Sequence, residues 1–466
     1  VDIGALSNVI SVDAKAKTAV VEPNVGMDKL VEATLAHGLV PRVVTEFPGI
    51  TAGGAFAGTA GESSSFRHGF FDEACVDAVE MVLADGEIVR ASTAAGERAD
   101  LFRGAAGALG TLGVTTLLEL RLQEAKRYVR TTYRRTSSVA EAVAAVREEM
   151  ARPEIDYVDG ILFSKDHGVI ISGTMTDEKP ADQTVQTFSG AGDPWFYMHV
   201  RDKTLQPSAS HPVEYIPLAE YLFRYDRAGF WVGRLAFQYF WMVPFSRFTR
   251  WFLDDFFHTR MMYRALHASG ESARLIIQDL AMPFDTAEQL VDYTSKELNI
   301  WPLWLCPLKR PTAPTFHPLT SPPSSVTQPQ EPDMMLNVGV WGWGPKKPAD
   351  FLAANRALED KVRDLGGMKW LYAHTYYPED QFWAMHGGRS WYDDLRTRYR
   401  ATALPTVWEK VHVDEKTVTR KGKTSWTERL KARWPFGGLW GLWISIKSRD
   451  YLIHRRSAWK WKGEKQ

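Results

Sequence analysis

From Val9 to Leu122 the hydrophobic positions fall in short runs that switch between a two-residue and a three-to-four-residue period. "VISVD" (9–13) and "TAVVEP" (18–23) are rich in β-branched residues and predict two strands joined by a turn. "GMDKLVEATLAHG" sets Leu30, Val31, Thr34 and Leu35 at helical spacing and stops on Gly38, which predicts a glycine-terminated helix. "ACVDAVEMVLADGEIVRAS" reads as a hairpin around Asp85-Gly86. "DLFRGAAGALGTLGVTTLLELRL" begins as a helix at Asp100, breaks at a glycine series and finishes as a strand to Leu122. Mixed α+β structure with glycine at its joints is the reading of this part.

Beyond Gln123 the pattern changes. "SSVAEAVAAVREEM" predicts a helix capped by serine. "GVIISGTM", "LNVGVWGWG" and "MKWLYAHTYY" predict strands, and "PADFLAANRALEDKVRDLGG" a helix stopped by glycines. Residues 215–266 are crowded with aromatic side chains, which suit either core packing or an apolar ligand or membrane. Residues 307–333 are too rich in proline for regular structure. The pattern predicts no solenoid-like repeat.

Composition narrows the function. The 466 residues carry 56 Lys plus Arg against 56 Asp plus Glu, so net charge gives no pull toward nucleic acid. Cys75 and Cys306 alone make neither a disulfide framework nor a thiolate metal site, and no metal is expected. No apolar run of about 20 residues is present. The chain opens on Val1, almost inside a strand, and is read as a fragment whose first part lies upstream.

Candidate chemistry starts from "TAGGAFAGTAGESSSFRHG" (51–69), with four glycines in its first eleven residues. It is neither a P-loop nor a Rossmann G-x-G-x-x-G, and the chain has no H-E-x-x-H, C-x-x-C or G-x-S-x-G. A flexible linker is one reading. The other is a backbone lying flat against a planar ligand, favoured by the interleaved Ile50, Ala55 and Phe56. Ser63, Ser64 and Ser65 lack a matching base. In "YAHTYY", strand geometry would put Tyr372, His374 and Tyr376 on one face, as three proton-capable groups or as hydroxyls meeting solvent.

The order of "VEPNVGMDKLV", "TAGGAFAGTAGESSSFRHGFF", "EMVLADGEIVR", "DLFRGAAGALGTLGV" and "LRLQEAKRYV" resembles the vanillyl-alcohol-oxidase-type (PCMH-type) flavoproteins, and more closely the Δ24-sterol reductase family. "GTMTDE", "PWFYMHV", "WPLWLCPL", "LYAHTYYPEDQFWAM" and "YDDLRTRYRA" extend the likeness to about Val413. The resemblance implies an α+β fold. An FAD-binding domain of PCMH type, its N-terminal subdomain upstream, occupies 1–123, and a substrate domain on an antiparallel sheet occupies 124–413. The basic, aromatic tail 414–466 matches none of the phrases that carry the resemblance. The resemblance further implies non-covalent FAD lined by Thr51, Ala52, Gly53, Gly54, Ala55, Phe56, Ala57, Gly58, Thr59, Ala60, Gly61, Glu62 and Ser63. Main-chain contacts would come from Gly110, Gly113 and Val114, and the glycines would serve the close approach of ring and diphosphate.

The implied activity is reduction of a sterol side-chain Δ24 double bond with NADPH. That bond is an isolated alkene with no carbonyl to polarise it. Protonation at C24 leaves a tertiary cation at C25 that accepts hydride from reduced flavin, so an acid beside a long apolar pocket is required. Tyr372 and His374 are the candidates, with Glu62 as a third that would need burial to hold its proton. The expected partners are a sterol and membrane lipid, and the expected location is the endoplasmic reticulum membrane. The alternatives are a flavin oxidase of an alcohol or sugar lactone and a non-catalytic sterol-binding scaffold. The tail, with "FGGLWGLWISI" between basic flanks, is expected to touch a membrane surface or to fold back onto the core.

Overall fold

A computed structural model describes residues 2–94, 96–206, 210–320, 334–413 and 433–463. The first sheet is formed by β1 (Val9–Asp13), β2 (Thr18–Val21), β3 (Leu39–Pro41), β4 (Val76–Val82), β5 (Ile88–Ser92) and β6 (Val114–Glu124). Its order is β1-β2-β6-β4-β5, with β3 also on β6, and every pairing is antiparallel. The hairpin forms as its pattern predicts. Gly86 turns it with φ 89° and Gly38 stops the preceding helix with φ 69°, conformations that glycine adopts without a Cβ penalty.

The second sheet has eight antiparallel strands: β7 (Tyr128–Thr136), β8 (Tyr157–Ser164), β9 (His167–Thr176), β10 (Val213–Pro217), β11 (Leu275–Met282), β12 (Leu303–Lys309), β13 (Met334–Trp343) and β14 (Met368–Lys369). They run in the order β10-β7-β9-β8-β12-β13-β11-β14. The helices Val139–Met150, Phe284–Tyr293 and Pro348–Asp364 cover one face, where an apolar core including Val146, Leu290 and Leu358 is sealed. Ser138 caps the first of these by accepting from the Glu141 N–H. The opposite face looks toward the first sheet. The helix Ser390–Arg398 returns to that sheet, with the Tyr392 hydroxyl donating to Thr111 Oγ1 at 2.6 Å.

Two expectations are corrected. The predicted strand 368–377 ends after Lys369. Burial of Glu359 explains this: its carboxylate takes the Tyr376 N–H at 3.0 Å, a group a strand would have given to its neighbour, and is held in place by Lys369 Nζ at 2.9 Å. The proline-rich loop begins later than predicted, because Pro307 lies inside β12. It is tolerated there because β8 pairs with β12 only at Leu303–Leu305, so Pro307 has a partner on one side alone. Residues 321–333 of that loop lie outside the described residues.

Aromatic residues 215–266 fall into two sets. Phe223, Tyr225, Phe230, Trp231 and Phe257 are core, whereas Trp241, Phe248, Trp251 and Phe252 are exposed. The fold-back reading holds for the end of the tail. Trp459 is buried against Phe223, with ring centroids 4.9 Å apart, and the Trp461 N–H donates to Glu220 at 2.9 Å. Residues 414–432 of the tail lie outside the described residues.

Candidate active site

The glycine segment is held from two sides. Ahead of it, the Ala52 and Gly53 N–H groups donate to Val25 and Pro23 carbonyls at 2.9 and 2.8 Å. Thr51 then caps the short helix Ala52–Ala57, accepting from the Gly54 N–H at 3.2 Å. Behind it, the second glycine series donates from Gly107 to Phe56 O and from Leu109 to Ala57 O, both at 3.1 Å. Gly107 has φ 75°, and a Cβ there would lie 2.3 Å from Thr59 Cγ2. The two glycine-rich stretches therefore build one support.

In front of that support lies a cavity of about 1210 Å³. Single small-ligand sites are usually about 300–1,000 Å³, so this one lies above that range. Thr51, Gly54, Ala55, Gly58, Thr59, Ala60 and Gly61 form one wall. The second sheet forms the other, through alternate positions on three neighbouring strands: Ile277 and Asp279, Trp304 with Cys306 and Leu308, and Asn337 with Trp341. Gly339 sits opposite both Asp279 and Trp304 in register. A Cβ there would lie 2.7 Å from the Trp341 ring and 3.0 Å from Asp279 Oδ1, so glycine keeps the wall open at the carboxyl group.

Asp279 is the polar centre of this apolar wall. The Tyr372 hydroxyl donates to its Oδ2 at 2.5 Å, and Asn337 Nδ2 donates to its Oδ1 at 2.8 Å. Burial pushes the carboxyl up to about 6, against the pull of those two hydrogen bonds. Burial and the neighbouring carboxylate raise the Tyr372 phenol well above its usual value. Tyr372 is nevertheless 50% exposed, and what it faces is the cavity. A phenol reaching into an apolar space, backed by a carboxyl group that titrates near neutrality, is an arrangement able to deliver a proton.

The other expected residues have mixed placements. His374 lines the cavity and is exposed at its edge. Burial, with the charges of Lys369 and His267, lowers its pKa, so it is neutral near pH 7. Tyr376 also lines the cavity, although the segment that brings these three residues there is irregular rather than a strand. Glu62 does not line it. Glu62 is buried, with its oxygens taken by Ser63 Oγ at 2.6 Å, by the Ser64 N–H at 3.0 Å and by Ser64 Oγ. Burial raises its pKa, as the reading of this residue required, but its lone pairs are committed to the loop.

Ala52, Gly53, Phe56, Ala57 and Ser63 are likewise absent from the lining, as are Gly110, Gly113 and Val114. The structure gives Gly53 a different reason for being glycine: a Cβ would lie 2.5 Å from Pro23 Cβ. Gly113 is similar, with Val82 O at 2.9 Å. Sequence reasoning missed Asp279, Asn337, Glu46 and Gly339. The available signal was a carboxylate inside the apolar strand "LIIQDLAM".

The wall suits a ligand that brings its own polar groups. Thr45 Oγ1, Glu46 Oε1 and Asn337 Oδ1 all belong to lining residues and are buried without a partner among the described residues. Such atoms are uncommon in folded proteins. Burial, followed by the charge of Glu62, raises Glu46 well above the carboxylate range, so it keeps a proton to donate. The N–H groups of Thr59 and Gly61 also take no partner among the described residues. Donors and acceptors ringed around a glycine-lined surface fit the heteroatom-rich ring of FAD, with the apolar strands left for a second, greasy molecule.

Comparison with known proteins agrees with this geometry. Residues 1–92 match the family model described as FAD binding domain. Over 420 residues the chain is 31% identical to the Delta(24)-sterol reductase of Homo sapiens, spanning 87% of this chain and 76% of that protein. The Delta(24)-sterol reductase of Rattus norvegicus is 30% identical over the same spans. That of Arabidopsis thaliana is 29% identical over 428 residues, spanning 86% of this chain and 74% of the plant protein.

Proposed function

The chain belongs to the Delta(24)-sterol reductase family, and from that premise we propose how its residues reduce the Δ24 side-chain double bond of a sterol, with NADPH as the electron donor. The protein is an FAD-dependent enzyme. When bound, reduced FAD supplies the hydride. The lining between Thr45 and Gly61 would hold that cofactor, and the strand residues Trp304, Cys306, Leu308 and Trp341 would hold the sterol and exclude water.

The chain's own chemical task is the proton. The Tyr372 hydroxyl gives its proton to C24 as the alkene π pair forms the new C–H bond. In its protonated form Asp279 donates across the same contact, Oδ2–H to the phenol oxygen, so its proton replaces the one the phenol gives up and no isolated phenolate is left in an apolar site. Asn337 holds the carboxyl group in line for this transfer. A carboxyl group at about 6 retains a protonated fraction near neutral pH, and displacement of cavity water by sterol raises that fraction further.

The observation that carries this reading is the Asp279–Tyr372 pair facing a glycine-lined wall across a cavity of about 1210 Å³. The test is anaerobic flavin spectroscopy of the FAD-loaded protein. NADPH should bleach the flavin absorbance and a Δ24-unsaturated sterol should restore it, while the saturated sterol does not. Bleaching reversed only by oxygen would assign the protein to the oxidases instead.

A further inference from the structure

The tail helix Phe436–Ser448 has two dissimilar faces. Gly437, Gly441 and Ser445 recur every four residues and are buried. A Cβ on Gly441 would lie 2.3 Å from Ala265 O, and Ser445 Oγ donates to Met261 O at 2.8 Å. This face is seated on the helix Thr259–Ser269 at close backbone approach. The other face, Phe436, Leu439, Trp440, Trp443 and Ile446, is 36–50% exposed. Trp434 at its start stacks on Trp241, with ring centroids 6.2 Å apart. Trp241 leads into a second exposed set, Met242, Phe248, Trp251 and Phe252, and with it these are 52–72% exposed. Apolar side chains this large are normally dispersed on a protein surface; gathered together they mark a contact with something apolar.

The charge at this face is one-sided. Arg247, Arg433, Arg449 and Arg456 are exposed and have no carboxylate partner among the described residues. The neighbouring carboxylates are engaged: Asp254 with Arg227, Asp255 with Arg455 and His454, and Asp450 with Arg264. Trp and Leu flanked by unpaired Arg match the headgroup boundary of an anionic bilayer, where rings sink in and cations meet phosphate and carboxylate groups. The tail helix has 13 residues, roughly 20 Å in length, short of the about 30 Å needed to cross. No described helix is long and apolar enough to cross a membrane.

The seat of the tail helix also forms part of the cavity wall. Met261, Ala265 and Ser269 of the helix Thr259–Ser269 meet the tail. Tyr263 and His267, roughly 200° round the same helix, line the cavity. We propose that this aromatic face docks the protein on an anionic bilayer, with the tail helix in the plane of the headgroups and the active-site cavity one helix away from the lipid.

Sedimentation of the 466-residue chain with phosphatidylcholine vesicles, with and without phosphatidylserine, tests this. Leu439→Glu/Trp443→Glu should weaken binding to both vesicle types at least tenfold. Phe248→Glu/Phe252→Glu should do the same, and because those rings are exposed it keeps the test available if the tail variant misfolds. Arg433→Glu/Arg449→Glu should weaken binding only where phosphatidylserine is present, by about fivefold or more per residue, and should remove most of the salt dependence. Undiminished vesicle binding by both aromatic pairs would overturn the proposal. So would vesicle binding that persists while either pair converts a dimer to a monomer in sedimentation velocity, which would assign the face to a second copy of the chain.

Discussion

Asp279 and Tyr372 illustrate what a single residue can and cannot announce. Tyr372 was legible in the sequence because "LYAHTYYPEDQFWAM" carries polar, proton-capable side chains in a family phrase. Asp279 was not, since its meaning depends on Asn337 and Tyr372, 58 and 93 positions away. Tyr372→Phe and Asp279→Asn should each slow sterol-dependent flavin reoxidation by about 10²- to 10⁴-fold while leaving reduction by NADPH intact, as stopped-flow absorbance will read. The proton donor must be protonated, so kcat/KM should fall as pH rises through about 6, and Asp279→Asn should flatten that limb. Stability carries the opposite sign. The folded protein binds this proton more tightly than the unfolded chain, so the carboxyl group costs stability as pH rises from its unfolded value near 4 through about 6. Asp279→Asn should therefore raise Tm at pH 8 and leave it nearly unchanged at pH 4, a split that loss of a structural residue would not produce.

Among elements, those set by local rules were readable. The hairpin at Asp85-Gly86, the serine-capped helix Val139–Met150 and the glycine stops follow from turn chemistry and period alone. The element that failed, 368–377, is decided by Glu359, a buried carboxylate on a neighbouring helix that no period of the segment itself reveals. The glycine segment was readable as a surface for a ligand, but the duties of its glycines were not separable without Pro23 and Pro23's neighbours in space. The structure separates them. Gly53→Val would drive side-chain atoms into Pro23 and should destabilise the fold by about 2 kcal/mol or more in a thermal melt. A Cβ at Gly54 meets only Thr51 Oγ1, at 2.9 Å, and Gly54 faces the cavity. Gly54→Val should thus keep the fold and lose flavin, read as Tm against the flavin absorbance of the purified protein.

At the scale of the whole molecule, function arises where two sheets face each other. The first contributes a glycine-rich support and the second an apolar wall with one proton-bearing pair, and neither makes the cavity alone. Arg260 fastens the two, pairing with Asp28 through Nη2 at 2.9 Å and donating to Pro48 O at 3.0 Å from the helix that also seats the tail. The sequence's family likeness carried the cofactor and the alkene; the meeting of the walls, and the tail's position behind one of them, required the structure. In the proposed reaction this cavity joins a hydride and a proton to an isolated alkene. Mass spectrometry of the sterol product tests it most directly, using the FAD-loaded protein, a Δ24-unsaturated sterol and NADPH in D₂O. The expected product has a saturated side chain that carries one solvent deuterium at C24, formed by the native protein and nearly absent with Tyr372→Phe. Unchanged sterol, or a product whose C24 carries no solvent deuterium, would contradict it.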